Sequence, residues 1–195
     1  MKELLLQTVR TLTELPPEQE EKLLVMARNL SVTRGEHFIR EGQVPRQFGF
    51  IGNGLFRYYY VDDNGNEFTK GFFPEGRFLS SYSAMTLNRP SYFNIEALED
   101  SEIITFDFQQ WKSLSAGHPC WSTFLVAILE KAFIKKENRE REFLLLDAEA
   151  RYRSFLKEYP DLSDRVRQHM IASYLGITPV ALSRVRRKMG MAHAT

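Results

Sequence analysis

Between Met170 and Met189 the chain sets Ser183, Arg184, Arg187 and Lys188 at spacings that share one side of a helix. A guanidinium forks onto O6 and N7 of guanine and flanking cations meet phosphates, so this set of side chains suits insertion into a DNA major groove. The preceding residues supply a scaffold. Ile171, Ala172 and Leu175 read as the buried side of a short helix, Gly176 permits the left-handed conformation of a sharp stop, and Ile177 plugs the corner. Thr178 then caps a second helix with Pro179 at its first position and Leu182 and Val185 turned inward. The prediction is helix, tight glycine turn, helix, with Thr178, Pro179, Val180, Ser183, Arg184, Arg187 and Lys188 as candidate DNA contacts. A purely structural helical hairpin has the same use for the glycine but little use for a face so dense in arginine.

Charge distribution points the same way. The 195 residues carry a formal net charge of +1, yet residues 151–195 hold nine basic and three acidic side chains, a local +6 that leaves −5 on the rest. Phosphate binding needs local rather than average positive charge. The composition, 43% apolar, 26% charged and 13% aromatic, is globular and excludes a disordered tail, a collagen or a fibre. The apolar run Phe124 to Leu129 is far short of the roughly 18 residues of a membrane span. The N-terminus lacks the layout of a secretory signal, and together these features predict a cytoplasmic protein with no membrane partner. The lone Cys120 excludes an internal disulfide, a CxxC zinc site and an iron-sulfur cluster. His37, His118, His169 and His193 show no HxH or HExxH grouping, so no metal and no cofactor are implied and an enzyme on this scaffold is not expected.

The elements that must position the basic helix follow from periodicity. Leu4 to Arg28 reads as helical, with Pro16-Pro17 starting a second segment. From Leu30 to Asp107, eight of the eleven glycines punctuate short runs rich in Phe, Tyr, Ile and Val, the mark of strands and tight turns. Leu55 to Val61 and Glu67 to Phe73 flank a hairpin loop built on Asn64-Gly65. Strands at this spacing without intervening helices predict an antiparallel barrel or roll. Pro119 to Leu146 is the longest helical candidate, with a stripe of Trp121, Leu125, Ile128 and Ala132 that either packs on the roll or on the same helix of a second subunit. Asp147 to Glu158 reads as a further short helix.

A roll, a long helix and a C-terminal helix-turn-helix in that order resemble the Crp/Fnr family of bacterial transcription regulators over nearly the whole chain. The motifs that carry the resemblance are Ile171-Ala172-Ser173-Tyr174-Leu175-Gly176-Ile177-Thr178-Pro179, Leu182-Ser183-Arg184, Ala150-Arg151-Tyr152 and Gly76-Arg77-Phe78-Leu79. The resemblance implies an α+β fold: an antiparallel β-roll (a double-stranded β-helix of the cyclic-nucleotide-binding kind) with flanking helices over 1–117, a long dimerisation helix over 118–147, and a helix-turn-helix domain of the winged-helix type over 148–195. It further implies a homodimer joined along the stripe Trp121, Leu125, Ile128 and Ala132. Double-stranded DNA with a twofold operator and RNA polymerase are the implied partners, and Arg184 falls on the arginine the family uses to read guanine.

Two departures qualify that picture. In cyclic-nucleotide-binding members a glutamate holds the ribose hydroxyl and an arginine the cyclic phosphate; Ser81 and Ser91 stand at those places here. Two hydroxyls do not replace a charge-assisted clamp, which predicts that cyclic AMP is not the effector. A candidate pocket for some other small molecule, of unknown identity, remains at Ser80, Ser81, Tyr82, Ser91 and Tyr92. At the DNA helix Val180 stands where many relatives place a glutamate, so a thymine methyl replaces cytosine N4 as its natural contact. Only seven residues follow Lys188, which predicts that wing strands are missing and phosphate contacts fewer. The rival reading is a small-molecule-binding roll with DNA binding weak or lost.

Overall fold

A computed structural model describes residues 1–191 of the chain. The described residues divide into two compact units, one of residues 1–60 with 71–132 and one of residues 61–70 with 133–191. The division runs through the long helix and through a β-hairpin, so both elements contribute to each unit.

The first unit is built on two four-stranded antiparallel sheets. One has the order β1 (Arg28–Val32), β8 (Ser101–Asp107), β3 (Gln47–Asn53), β6 (Phe78–Leu79); the other has β2 (His37–Ile39), β7 (Asn94–Ala97), β4 (Phe56–Val61), β5 (Glu67–Phe73). Period-two alternation sorts their side chains. Ile51 and Ile103, paired across β3 and β8, face a core they share with Ile39, Phe56, Tyr58, Phe93 and Ile95. Their neighbours Phe50 and Ile104 face the opposite way, into a second core. Four helices cover that second face: α1 (Lys2–Arg10), α2 (Pro17–Met26), α4 (Phe108–Gly117) and the start of α5 (Pro119–Leu145). A short α3 (Tyr82–Thr86) follows β6. Both cores are apolar because the β3/β8 sheet is covered on both sides.

The second unit holds the rest of α5 with α6 (Ala148–Glu158), α7 (Leu162–Arg165), α8 (Gln168–Leu175) and α9 (Pro179–Lys188). Its core gathers Tyr152, Phe155, Tyr159, Leu162, Val166, Ile171, Ala172, Tyr174, Leu175 and Leu182, all buried. Among the described residues no strand follows β8, so no wing of a winged helix occurs in 148–191. His193 lies outside the described residues. No helix among the described residues is long and apolar enough to cross a membrane.

Candidate nucleic-acid interface

The turn between α8 and α9 forms by local chemistry. Gly176 ends α8 at φ 67°, ψ 36°, and the Ile177 N–H donates back to the Ala172 carbonyl at 3.1 Å. A Cβ on Gly176 would lie 2.6 Å from Cε1 of Phe143, so position and conformation both demand glycine. Thr178 caps α9, its Oγ1 accepting from the Ala181 N–H at 3.1 Å, and Pro179 occupies the first turn. Phe143 itself sits with the guanidinium groups of Arg139 and Arg151 each 5.0 Å from its ring centroid.

α9 is two-faced. Leu182 is buried and Val185 half-buried, whereas Val180, Arg184, Arg187 and Lys188 are exposed. Ser183 is half-buried, and Thr178 and Pro179 are exposed at the helix start. Arg186, by contrast, turns toward Tyr152, whose hydroxyl titrates above its ordinary value because it is buried. Lys188 is already engaged: its Nζ lies 2.7 Å from Glu149 Oε2, and Arg153 Nη2 lies 2.8 Å from the other oxygen of that carboxylate. Hydrogen bonds from Lys188 and Arg153 hold the Glu149 carboxyl below the usual carboxylate range, and the same contact raises Lys188. Glu149 was hidden from a linear reading because only its i,i+4 partner Arg153 is near in sequence.

The candidate pocket is not one cluster. Ser81 and Ser91 are each 1% exposed, their hydroxyl oxygens 3.0 Å apart, with Ser91 Oγ also 2.8 Å from the Phe93 carbonyl. Tyr58 fills the adjoining interior, stacked at 4.0 Å on Phe73 and 5.3 Å on Phe93, and its hydroxyl accepts from the Ser80 N–H at 2.7 Å. Burial drives the Tyr58 hydroxyl well above the ordinary tyrosine range, so it stays neutral there. Tyr82 and Tyr92 instead point outward, Tyr92 at 61% exposure beneath the Arg89 guanidinium. The roll does bury an arginine, Arg57, paired with Glu96 at 3.0 Å and lying over the Tyr59 ring. Alternation along β4 puts Arg57 on the face opposite Tyr58, away from the two serines.

The stripe on α5 also separates. Trp121 is fully buried, its Nε1 donating to Gln19 Oε1 at 3.0 Å and its ring edge-on to Trp111. It belongs to the helix-covered core of the first unit and offers nothing to a second chain, because an apolar face suits either partner and the sheet supplies one. Leu125 and Ile128 are half-buried and Ala132 is exposed. The large apolar side chains that this stretch of α5 does expose are Val126, Leu129, Phe133 and Ile134. Among the described residues no group of three or more His, Cys, Asp or Glu side chains gathers as metal ligands would.

A family model described as the cyclic nucleotide-binding domain matches residues 29–118. No curated protein matches the chain. Solved structures do. The c-di-GMP responsive global regulator CLP of Xanthomonas campestris superposes with a TM-score of 0.75 at 17% identity, over 92% of this chain and 96% of that one. FixK2 of Bradyrhizobium japonicum gives 0.75 at 17% identity, over 87% and 89%. A transcriptional regulator of the Crp/Fnr family from Eubacterium rectale gives 0.71 at 16% identity, over 90% and 84%. At these identities the likeness is one of fold: an α+β chain whose N-terminal part is an antiparallel cyclic-nucleotide-binding roll with flanking helices.

Proposed function

We propose that this chain is a DNA-binding transcription regulator of the Crp/Fnr type, reading a twofold operator as a homodimer through α9. The observation that carries the reading is the exposure of Val180, Arg184 and Arg187 along one side of a helix whose other side is anchored by Leu182 behind a glycine turn. Arg184 forks onto guanine, Val180 meets a thymine methyl, and Arg187 with the flanking cations neutralises phosphates. The second copy packs along the exposed apolar residues of α5, Val126, Leu129 and Phe133, whose spacing of three and four matches a helix-to-helix seam. The effector, if the roll takes one, is not cyclic AMP, since the serines at the clamp positions bond to each other and to backbone inside a filled interior.

Selection of bound sequences from a random DNA pool tests this directly, with an inverted repeat as the expected result and no enrichment as the outcome that overturns it. On the selected site Arg184→Ala should lose about 1 to 3 kcal/mol while random duplex loses less. Equal losses on both would remove base reading from Arg184.

A further inference from the structure

The tip of the β4 and β5 hairpin belongs to the same compact unit as α8 and α9. β5 is the last strand of its sheet, so the outward backbone groups of its first residues need partners from elsewhere. One serine supplies two of them. Ser173 Oγ on α8 accepts from the Thr69 N–H at 2.8 Å and donates to the Glu67 carbonyl at 2.8 Å, standing in for a neighbouring strand. Arg139 on α5 supplies the next, its Nη2 donating to the Thr69 carbonyl at 3.1 Å and to the Tyr174 carbonyl at 2.9 Å. Its guanidinium lies 3.8 Å from the centroid of the Tyr174 ring, which ties the same contact to the core of the unit.

We infer that Ser173 and Arg139 are positioning residues for DNA binding: by gripping the β5 edge they hold α8, and with it α9, in the arrangement that reads DNA. The inference rests on the DNA-binding reading of α9. Its direction follows from accessibility, since with this contact made Val180, Arg184 and Arg187 remain exposed, so the grip leaves the reading face open. Neither Ser173 nor Arg139 needs to touch DNA. Releasing the grip lowers the fraction of molecules with a competent α8 and α9, and observed affinity falls by that fraction on every sequence alike.

The experiment compares Ser173→Ala, Ser173→Thr, Arg139→Gln and the Ser173→Ala/Arg139→Gln double variant of the full chain by fluorescence anisotropy, on the selected operator and a random duplex across a salt series. Arg184→Ala serves as the reference. Ser173→Ala and Arg139→Gln should each weaken both duplexes by a similar factor, about three- to tenfold, with an unchanged salt slope because no phosphate contact is lost. Ser173→Thr, which keeps the hydroxyl, should restore binding, and the double variant should lose less than the product of the single losses because both residues hold the backbone of one residue, Thr69, by its N–H and its carbonyl. Unchanged or tighter binding in both single variants, beside a clear operator loss in Arg184→Ala, overturns the positioning role and leaves the DNA-binding reading standing. A loss that Ser173→Thr fails to restore and that follows a lowered melting temperature reduces the contact to a structural one and also overturns it. No measurable binding of the parent chain to either duplex removes the DNA-binding reading, and the positioning role falls with it.

Discussion

Lys188 Nζ lies 2.7 Å from Glu149 Oε2, so the last cation of α9 is held by an acid in the first turn of α6. A phosphate approaching Lys188 competes with that carboxylate. Glu149→Gln should therefore tighten binding to random duplex and steepen the salt slope by about one, since one more cation becomes available to release a counterion. A salt series in fluorescence anisotropy measures both. The pair also has a pH signature. The Glu149 carboxyl is held below its ordinary value, so its contribution to folding is complete above the ordinary carboxylate range and fades as the pH falls through the depressed value. Acid titration of the melting temperature should thus show less low-pH loss in Glu149→Gln than in the parent.

The seam proposed on α5 is tested by two sets of substitutions with opposite readouts. Leu129→Glu with Phe133→Glu places charge on side chains that are exposed in the single chain, so the fold should persist while sedimentation shows monomers. Trp121→Ala instead opens a cavity in the helix-covered core and should cost about 3 to 5 kcal/mol of stability in urea unfolding. A folded, dimeric Leu129→Glu/Phe133→Glu variant would remove α5 from the interface.

Cyclic AMP should leave thermal stability unchanged. A ligand at one hundred times its dissociation constant stabilises by about 2.7 kcal/mol, an effect readily seen by differential scanning fluorimetry. Ser81 and Ser91 offer a cyclic phosphate two hydroxyls already within 3.0 Å of each other and no cation. An upward shift in melting temperature with millimolar nucleotide would contradict this account of the roll.

Gly176→Ala should destabilise the turn between α8 and α9 by more than the roughly 1 to 2 kcal/mol of a left-handed alanine, because the new Cβ also meets Phe143 at 2.6 Å. The Phe143 ring is itself flanked by Arg139 and Arg151, which limits its escape. Urea unfolding followed by circular dichroism should show the loss, and the added variant Phe143→Ala should recover part of it.

The turn between α8 and α9 was legible in the sequence because its causes lie within a dozen consecutive residues: a left-handed glycine, a threonine cap, a proline in the first turn and two buried aliphatic positions. The strands and the β4 and β5 hairpin were legible for the same reason, since glycine placement and alternation are local signals. The second helical segment of the N-terminal stretch is signalled just as locally, by Pro16-Pro17, and α2 begins at Pro17. What tertiary structure decided is which neighbour each apolar or polar side chain meets. The stripe from Trp121 on α5 is compatible with a sheet or with a second helix, and only packing shows Trp121 facing Gln19 and Trp111 while Phe133 stays exposed. Ser173 enters the sequence reading only as a member of the motif from Ile171 to Pro179, yet it serves the backbone of Glu67 and Thr69, more than a hundred positions earlier. Local propensity sets the elements, whereas contacts between residues far apart in sequence depend on how those elements close on one another.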